Sequence, residues 1–449
     1  MSTFSGLTDA LTALNAARYG LDVTGQNISN ANTPGYVRQR ADLAEAGPVP
    51  GVAALYATQH ADSTATVSGT SRLNDPVIDM RARSEHSRNS YLQTGANTLS
   101  GVEDLFPEPS DTGLSEQLND FWNSWASVAN HPGDEAARDV VLQKASAVAG
   151  TLNEASAALG RLSQSLSISA NSTVTQVNTA TGELAQLNGA IAIGTATGAV
   201  DNQLLDQRDS LLMQLSDLAG AQASLNPDGT ATVTIGGQTV VNSTTATTVG
   251  IDPSNQLLVG GTPAGTAGGA LQGQLDALTT TLPNYQAQLD TVAGSLASTT
   301  NSLQTGGYDL SGAPGAPLFS GSTAGSIAVA ITNPSQLAAS GTPGGNLDGS
   351  VALAMSQLGS SPSGADASYR SMIGALATDS QRASQQAAVQ QTVTTSVDNL
   401  ADSSAGVSID EETTNLLTYQ RAYEASSRVL TTVDETLDTL INHTGTVGR

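Results

Sequence analysis

Apolar residues return at every seventh position at both ends of the chain, and this recurrence limits the fold more than any other feature. Near the N-terminus Leu7, Leu14, Leu21 and Ile28 stand seven apart, with Phe4, Leu11 and the small Ala10 and Ala17 beside them. Near the C-terminus Ile409, Leu416, Tyr423, Leu430 and Leu437 repeat the spacing, joined by Tyr419, Val433 and Leu440. Such a repeat draws one apolar stripe along an α-helix, and the stripe needs a second helix to cover it. The first rod, over residues 4–30, would be roughly 40 Å long. Ser408 followed by Glu411 forms a capping-box pattern that opens the second, with Asp410 and Glu412 where the helix dipole favours negative charge. Gly445 lies past the last periodic residue, where a helix stop is expected. Neither stripe has an obvious local partner.

Between the ends the pattern is helical, then β, then helical again. Leu99, Val102 and Leu105 suggest a helix ending near Pro107 and Pro109, and Leu114, Leu118, Phe121, Trp122, Trp125 and Val128 form a strong second stripe. After His131-Pro132-Gly133, apolar steps of three, four and seven continue from about 134 to 192, longer than an ordinary globular helix. Character changes near 221. Asn226-Pro227-Asp228-Gly229 reads as a turn, and alternating residues around Gly236-Gly237 read as a two-residue hairpin, so 221–262 is expected to be β. Helical spacing returns over 271–303 with Pro283 interrupting it, Ser326–Ile331 looks like a strand, and a helical pattern resumes from about 349. The expected fold is mainly α with an inserted β-rich domain. Its domains would be 1–40 with 406–449, a terminal coiled coil; 41–220 with 349–405, a long-helix bundle; and 221–348, an outer β-rich unit with a helical segment near 270–303.

Charge and composition exclude several functions. Sixteen basic against 40 acidic residues give a net charge of −24, and the only lysine is Lys144, so binding to a phosphate backbone is not expected. Ala145 follows that lysine, which removes a phosphate-binding loop. With no cysteine there is no disulfide framework, thiol nucleophile or thiolate metal site. Met1–Asn30 lacks the basic-then-apolar block of a signal peptide, and no apolar run reaches the ~18–20 residues of a membrane span. His60, His86, His131 and His443 never stand four apart, so a zinc helix of the H-E-x-x-H kind is absent, and no G-x-S-x-G elbow occurs. Asp309-Leu310-Ser311-Gly312 resembles the start of a calcium loop but lacks the other acidic ligands and reads as a plain turn. Trp122 and Trp125 fit core packing better than a sugar platform. Arg208, within Asp206-Gln207-Arg208-Asp209, is expected to pair with a neighbouring helix. No catalytic, cofactor or metal site is expected.

One segment is dense in specified residues: Asn30-Ala31-Asn32-Thr33-Pro34-Gly35-Tyr36. Asparagines satisfy backbone groups as a helix ends, Pro34 suits the second position of a turn, and Gly35 tolerates the positive φ of the third position of a type II turn. The segment resembles the signature of the bacterial flagellar axial proteins, which build rod, hook and hook-associated structures. Gly406-Val407-Ser408-Ile409-Asp410-Glu411-Glu412 and Tyr419-Gln420-Arg421-Ala422-Tyr423-Glu424-Ala425 resemble its C-terminal counterpart. Interior features are similar to the hook-associated junction members: Leu187-Asn188 with Leu204–Asp209, Trp122 and Trp125 with Pro132 and Arg138, and Gly307–Gly312 with Leu318-Phe319.

The resemblance implies a non-enzymatic adaptor between hook and filament, exported unfolded by the flagellar type III apparatus without a cleaved signal. Its partners would be the hook protein, a second hook-associated junction protein, further copies of itself in a ring or helical turn, and a cytosolic export chaperone. It would be extracellular at the hook–filament junction after a transient cytoplasmic stage. The two stripes, Leu7, Leu11, Leu14, Leu21 and Ile28 with Ile409, Leu416, Tyr423, Leu430, Val433, Leu437 and Leu440, would be the assembly seam. They would pair with each other and with neighbouring subunits, staying mobile until incorporation. Asn30, Asn32, Thr33, Pro34, Gly35 and Tyr36 would turn the chain outward. A secreted adhesin that uses the Ser/Thr-rich middle is the alternative of another class.

Overall fold

The computed structural model describes residues 3–45, 65–198, 200–344 and 348–443. Gly445 and His60 lie outside them, as do the side chains of Phe4 and His443. The fold is mainly helical with small antiparallel sheets. Helix α1 (Thr3–Ser29) leads through the motif turn into a hairpin, β1 (Gln39–Glu45) and β2 (Ala65–Arg72). Then come α2 (Pro76–Glu103), α3 (Leu114–Asn130), α4 (Glu135–Thr197) and α5 (Asn202–Ala219). Two small sheets follow, β3–β6 and β7–β9, spanning Gln222–Pro263. Helix α6 (Gly269–Asp276) runs through a π-helical turn, Ala277–Thr281, into α7 (Leu282–Gly306). After β10 (Phe319–Ser320) and β11 (Ala328–Val329), α8 (Ser350–Gln357), α9 (Ala365–Ala405) and α10 (Ile409–Asp438) return the chain to α1.

Helix α4, with 63 residues, is about 95 Å long and carries two separate cores along its length. Its first half packs on Leu118, Phe121 and Trp125 of α3 and on α7, in a core completed by Met355 and Met372 of α8 and α9. Its second half packs on Leu212 and Leu215 of α5, on Val233, Ile235 and Val240 of the sheets, and on Leu271 of α6. The segment 221–348, expected as one outer unit, is thus divided: its β part and α6 join the second core, while α7 and 318–339 join the first. The expected strand over 326–331 shrinks to two residues, because Ser326 is held in a turn with Thr323. Pro283 has no N–H to donate, and the π-helical turn ends two residues before it, at Thr281.

Among the described residues one device fastens helices to extended segments four times. An asparagine amide donates to, and accepts from, the backbone of a single residue, as a neighbouring strand would. Asn188 holds Ala231 (2.8 and 2.9 Å), Asn178 holds Val249 (2.9 and 2.8 Å) and Asn301 holds Phe319 (2.8 and 2.9 Å). Asn27 does the same to Gln39, at 2.8 and 2.9 Å. Each satisfies backbone groups that a short strand leaves unpaired beside a helix.

His86 of α2 ties three helices together, 3.3 Å from Asp217 of α5 and 2.9 Å from Asp398 of α9. Its bond to Asp217 outweighs burial, and with Asp398 raises its pKa from 6.5 to about 9. A folded value above the unfolded one stabilises fully below pH 6.5 and stops doing so as pH passes about 9. His86→Gln is therefore expected to cost about 1–2 kcal/mol near pH 6, allowing for solvent screening of the carboxylates, and little near pH 10. Urea unfolding at the two pH values checks this; an equal cost at both would remove the charge from the account.

Candidate functional site

Helices α1 and α10 pack antiparallel, with Asn27 against Glu412 and, one heptad away on each helix, Gly20 against Tyr419. What α1 buries is a stripe of small and polar residues: Ala10, Ala17, Gly20, Thr24 and Asn27, flanked by Ala16 and Val23. The leucines singled out by size lie beside this stripe. Leu7, Leu14, Leu21 and Ile28 are half-buried, and Leu11 is 51% exposed. On α10, Leu416, Leu430, Val433 and Leu437 are half-buried, while Ile409 and Tyr423 are exposed, as is Leu440 in the π-helical turn Thr439–His443 that follows it. Among the described residues of α10, Glu412 alone is buried. Small residues let the two backbones approach closely, which leaves the large side chains at the edges of the pair.

At its root the helix pair is locked by polar contacts. The turn closes as the Tyr36 N–H donates to the Thr33 carbonyl at 3.2 Å, with Gly35 at φ +78, the positive value expected there. Asn30 returns its amide to the Gln26 carbonyl (3.0 Å) and accepts from the Thr33 hydroxyl (3.2 Å), so these residues shape the exit of α1. Asn32, Thr33, Pro34 and Gly35 are exposed. Tyr36 turns inward and donates to Asn27 Oδ1 at 2.8 Å. Burial, then the carboxylates of Asp206 and Glu412, push its phenol up to about 12, so it remains a neutral donor.

Asn27 Nδ2 also donates to Glu412 Oε2 (3.1 Å), whose other oxygen takes Arg38 Nε at 2.8 Å. A further nitrogen of Arg38 reaches Glu411 at 2.6 Å. Burial alone would lower the Arg38 guanidinium, but these two carboxylates outweigh it and raise it. The two terminal motifs, 385 residues apart at Asn27 and Glu412, therefore meet in one buried node. Asn30 was legible as part of the helix exit beside Asn27, and Glu412 as a dipole partner. The pairing of Asn27 with Glu412, and Arg38, were not. The available signal was Asn27 itself, a polar residue seven beyond Gly20 on the small-residue stripe.

The node continues into the body of the molecule. Arg38 N–H donates to the Ala405 carbonyl at the end of α9 (2.9 Å), and Asn202 donates to Gln39 (3.0 Å). Arg72 of β2 binds Asp206 at 2.7 Å and Asp209 at 2.8 Å on α5. Arg208 corrects the expectation of a helix partner. It grips the adjacent Asp209 and donates to the Gly229 carbonyl (2.6 Å), joining α5 to the turn that precedes β4 (Ala231–Ile235). Trp122 and Trp125 are core residues, with Trp122 Nε1 donating to Asp366 at 2.8 Å. Arg138 is buried and donates to the carbonyls of Pro132 and Leu337. Burial raises the Asp309 carboxyl, but the bonds it accepts from Ser311 and Ala313 within a turn together outweigh that and hold it below the usual range.

A cleft of about 1170 Å³ opens between the motif turn and the ends of α4 and α5. Pro34, Tyr36, Leu187 and Leu211 supply apolar surface to it, and Glu183, Asp201 and Asp206 supply acid. Among the described residues no group of three or more histidine and carboxylate side chains is placed to hold a metal ion, and no helix is long and apolar enough to cross a membrane.

Comparison with known proteins agrees across the whole chain. The model of the flagellar hook-associated protein FlgK helical domain matches residues 99–319. That of the flagella basal body rod protein matches 8–36, and that of the flagellar basal body rod FlgEFG protein C-terminal region matches 388–443. The sequence is 31% identical to flagellar hook-associated protein 1 of Bacillus subtilis (strain 168), an alignment covering 100% of each chain. It is 29% identical to flagellar hook-associated protein 1 of Salmonella typhimurium over 70% of this chain and 59% of that one. The structure of the flagellar hook junction protein FlgK from Burkholderia pseudomallei shares the fold, with a TM-score of 0.65 at 19% identity over 71% of this chain and 99% of that one. A full-length relative, the terminal motifs joined in one node and the shared long-helix fold give one conclusion: the chain belongs to the flagellar hook-associated protein 1 family, a family of structural flagellar proteins.

Proposed function

We propose that the protein is a structural adaptor that joins the flagellar hook to the filament. It leaves the cell through the flagellar type III apparatus, held beforehand by a cytosolic chaperone, and assembles at the distal end of the hook. There it contacts the hook protein, the second hook-associated junction protein and further copies of itself. The observation that carries this reading is the α1–α10 pair, which keeps Leu11, Leu417 and Val429 about half exposed while its root is fixed by the Asn27–Glu412 node. Large apolar side chains left at the edges of a helix pair suit burial between stacked copies, and head-to-tail contacts of that kind build a ring or tube rather than a closed dimer. In this reading α1 and α10 form the inner layer, the motif turn leads outward, and the two cores of α4 stand outside. Such a role calls for no catalysis.

Deleting the gene is expected to give cells that secrete flagellin into the medium without attached filaments. Attached filaments in the deletion strain would refute the adaptor role. Leu430→Asp tests the seam. The residue is half-buried, so the body should stay folded while incorporation at the hook tip is lost. Normal filaments in that strain would show that Leu430 does not face an interface.

A further inference from the structure

We propose that the cleft beneath the motif turn receives α10 of a second copy, through the face that carries Leu417, Arg421 and Arg428. The inference deepens the proposed assembly role and rests on it. The cleft has no basic residue in its lining, and its acids are unequal: Asp206 is bound by Arg72 and Asp201 caps α5, while Glu183 is exposed with no partner among the described residues. Its polar rim is rich in amides, among them Gln186 and Gln207, above the apolar surface of Leu187, Leu211 and Pro34. An open hollow with this lining suits a helix that offers a little apolar surface and positive charge.

Such a helix face occurs on the same chain. Leu417, Arg421, Glu424 and Arg428 follow steps of four, three and four, so they share one side of α10. All are exposed, and Leu417 is 53% exposed. Arg421 and Arg428 make no ion pair among the described residues, and they sit about 10 Å apart along the axis. Basic residues are scarce in a chain with 16 of them against 40 acidic ones, and several are held inside as Arg38, Arg72 and Arg208 are. Two copies of net charge −24 repel each other at long range, so close approach favours surfaces of locally opposite sign. The cleft also adjoins the root of the helix pair, making it continuous with the proposed seam.

Charge reversal with rescue tests this in motile cells, reading the fraction that carries attached filaments. Arg421→Glu with Arg428→Glu is expected to lower that fraction about tenfold, and Glu183→Arg with Gln186→Arg to do the same. All four substitutions in one chain should restore attachment, because each copy then offers a basic cleft to an acidic helix. Normal attachment with either reversal alone would overturn the proposal. Two losses without rescue would also overturn it, since the cleft and the helix would then meet other partners. Filaments in the deletion strain would refute the adaptor role itself, whereas a filament-free deletion strain with unaffected reversals refutes only this docking.

Discussion

Glu412→Ala is expected to loosen the root of the α1–α10 pair by about 3 kcal/mol, while Glu411→Ala costs under about 1 kcal/mol. The two carboxylates are neighbours in sequence and both bind Arg38, yet their side chains are 2% and 63% exposed. Removing the exposed partner leaves water to solvate the guanidinium. Removing the buried one strands charge in a site built for it, and also takes an acceptor from Asn27. The cost stays near the lower end for a broken buried pair because Glu411 still reaches Arg38 and Asn27 still holds Gln39. Glu412→Gln should fall between, keeping hydrogen bonds but not charge. Since the helix pair can open without unfolding either core of α4, the measurement is amide hydrogen exchange over 20–28 and 409–416 rather than global melting. Equal acceleration by Glu411→Ala and Glu412→Ala would mean that burial of the pair is not what fixes the root.

Much of the fold was legible because it depends on near neighbours. Helix α4, expected over 134–192, runs from Glu135 to Thr197, since its apolar steps never leave one helical phase. The β4–β5 hairpin turns on Gly236-Gly237, both at positive φ, as that dipeptide suggested (β5, Gln238–Asn242). The β1–β2 hairpin was missed: Gln39–Glu45 and Ala65–Arg72 carry few large apolar residues, and their pairing shifts register between Asp42 and Leu43. The division of 221–348 between two cores was hidden as well, because local periodicity does not say which half of a long helix a later segment will meet. At the candidate site, size misled. Leucines drew attention to one stripe of α1, but close helix packing selected the glycine and alanine stripe beside it. The node went unseen because Asn27 and Arg38 lie far in sequence from Glu412, and no local pattern reports such a pairing.

Gly20 provides the sharpest test of that close packing. In a free helix Gly→Ala stabilises by about 1 kcal/mol, so propensity alone predicts a gain. A Cβ at Gly20, however, would stand 2.5 Å from Cε1 of Tyr419, with two more ring carbons at 2.6 and 2.7 Å. The ring lies directly on the glycine, so α10 must move away or Tyr419 must swing out, and either costs about 1–3 kcal/mol of packing. The steric loss outweighs the propensity gain, and Gly20→Ala is expected to be destabilising overall. At Gly25, on the same helix, a Cβ would have nothing within 4 Å, so Gly25→Ala should keep the gain. Opposite signs for two identical substitutions five residues apart follow from contact with α10 alone. Tyr419→Leu should relieve much of the Gly20→Ala penalty while being mildly unfavourable by itself, a coupling that a double-mutant cycle reads by hydrogen exchange of α1. If Gly20→Ala and Gly25→Ala protect α1 equally, the antiparallel register that sets Gly20 on Tyr419 and Asn27 on Glu412 is wrong.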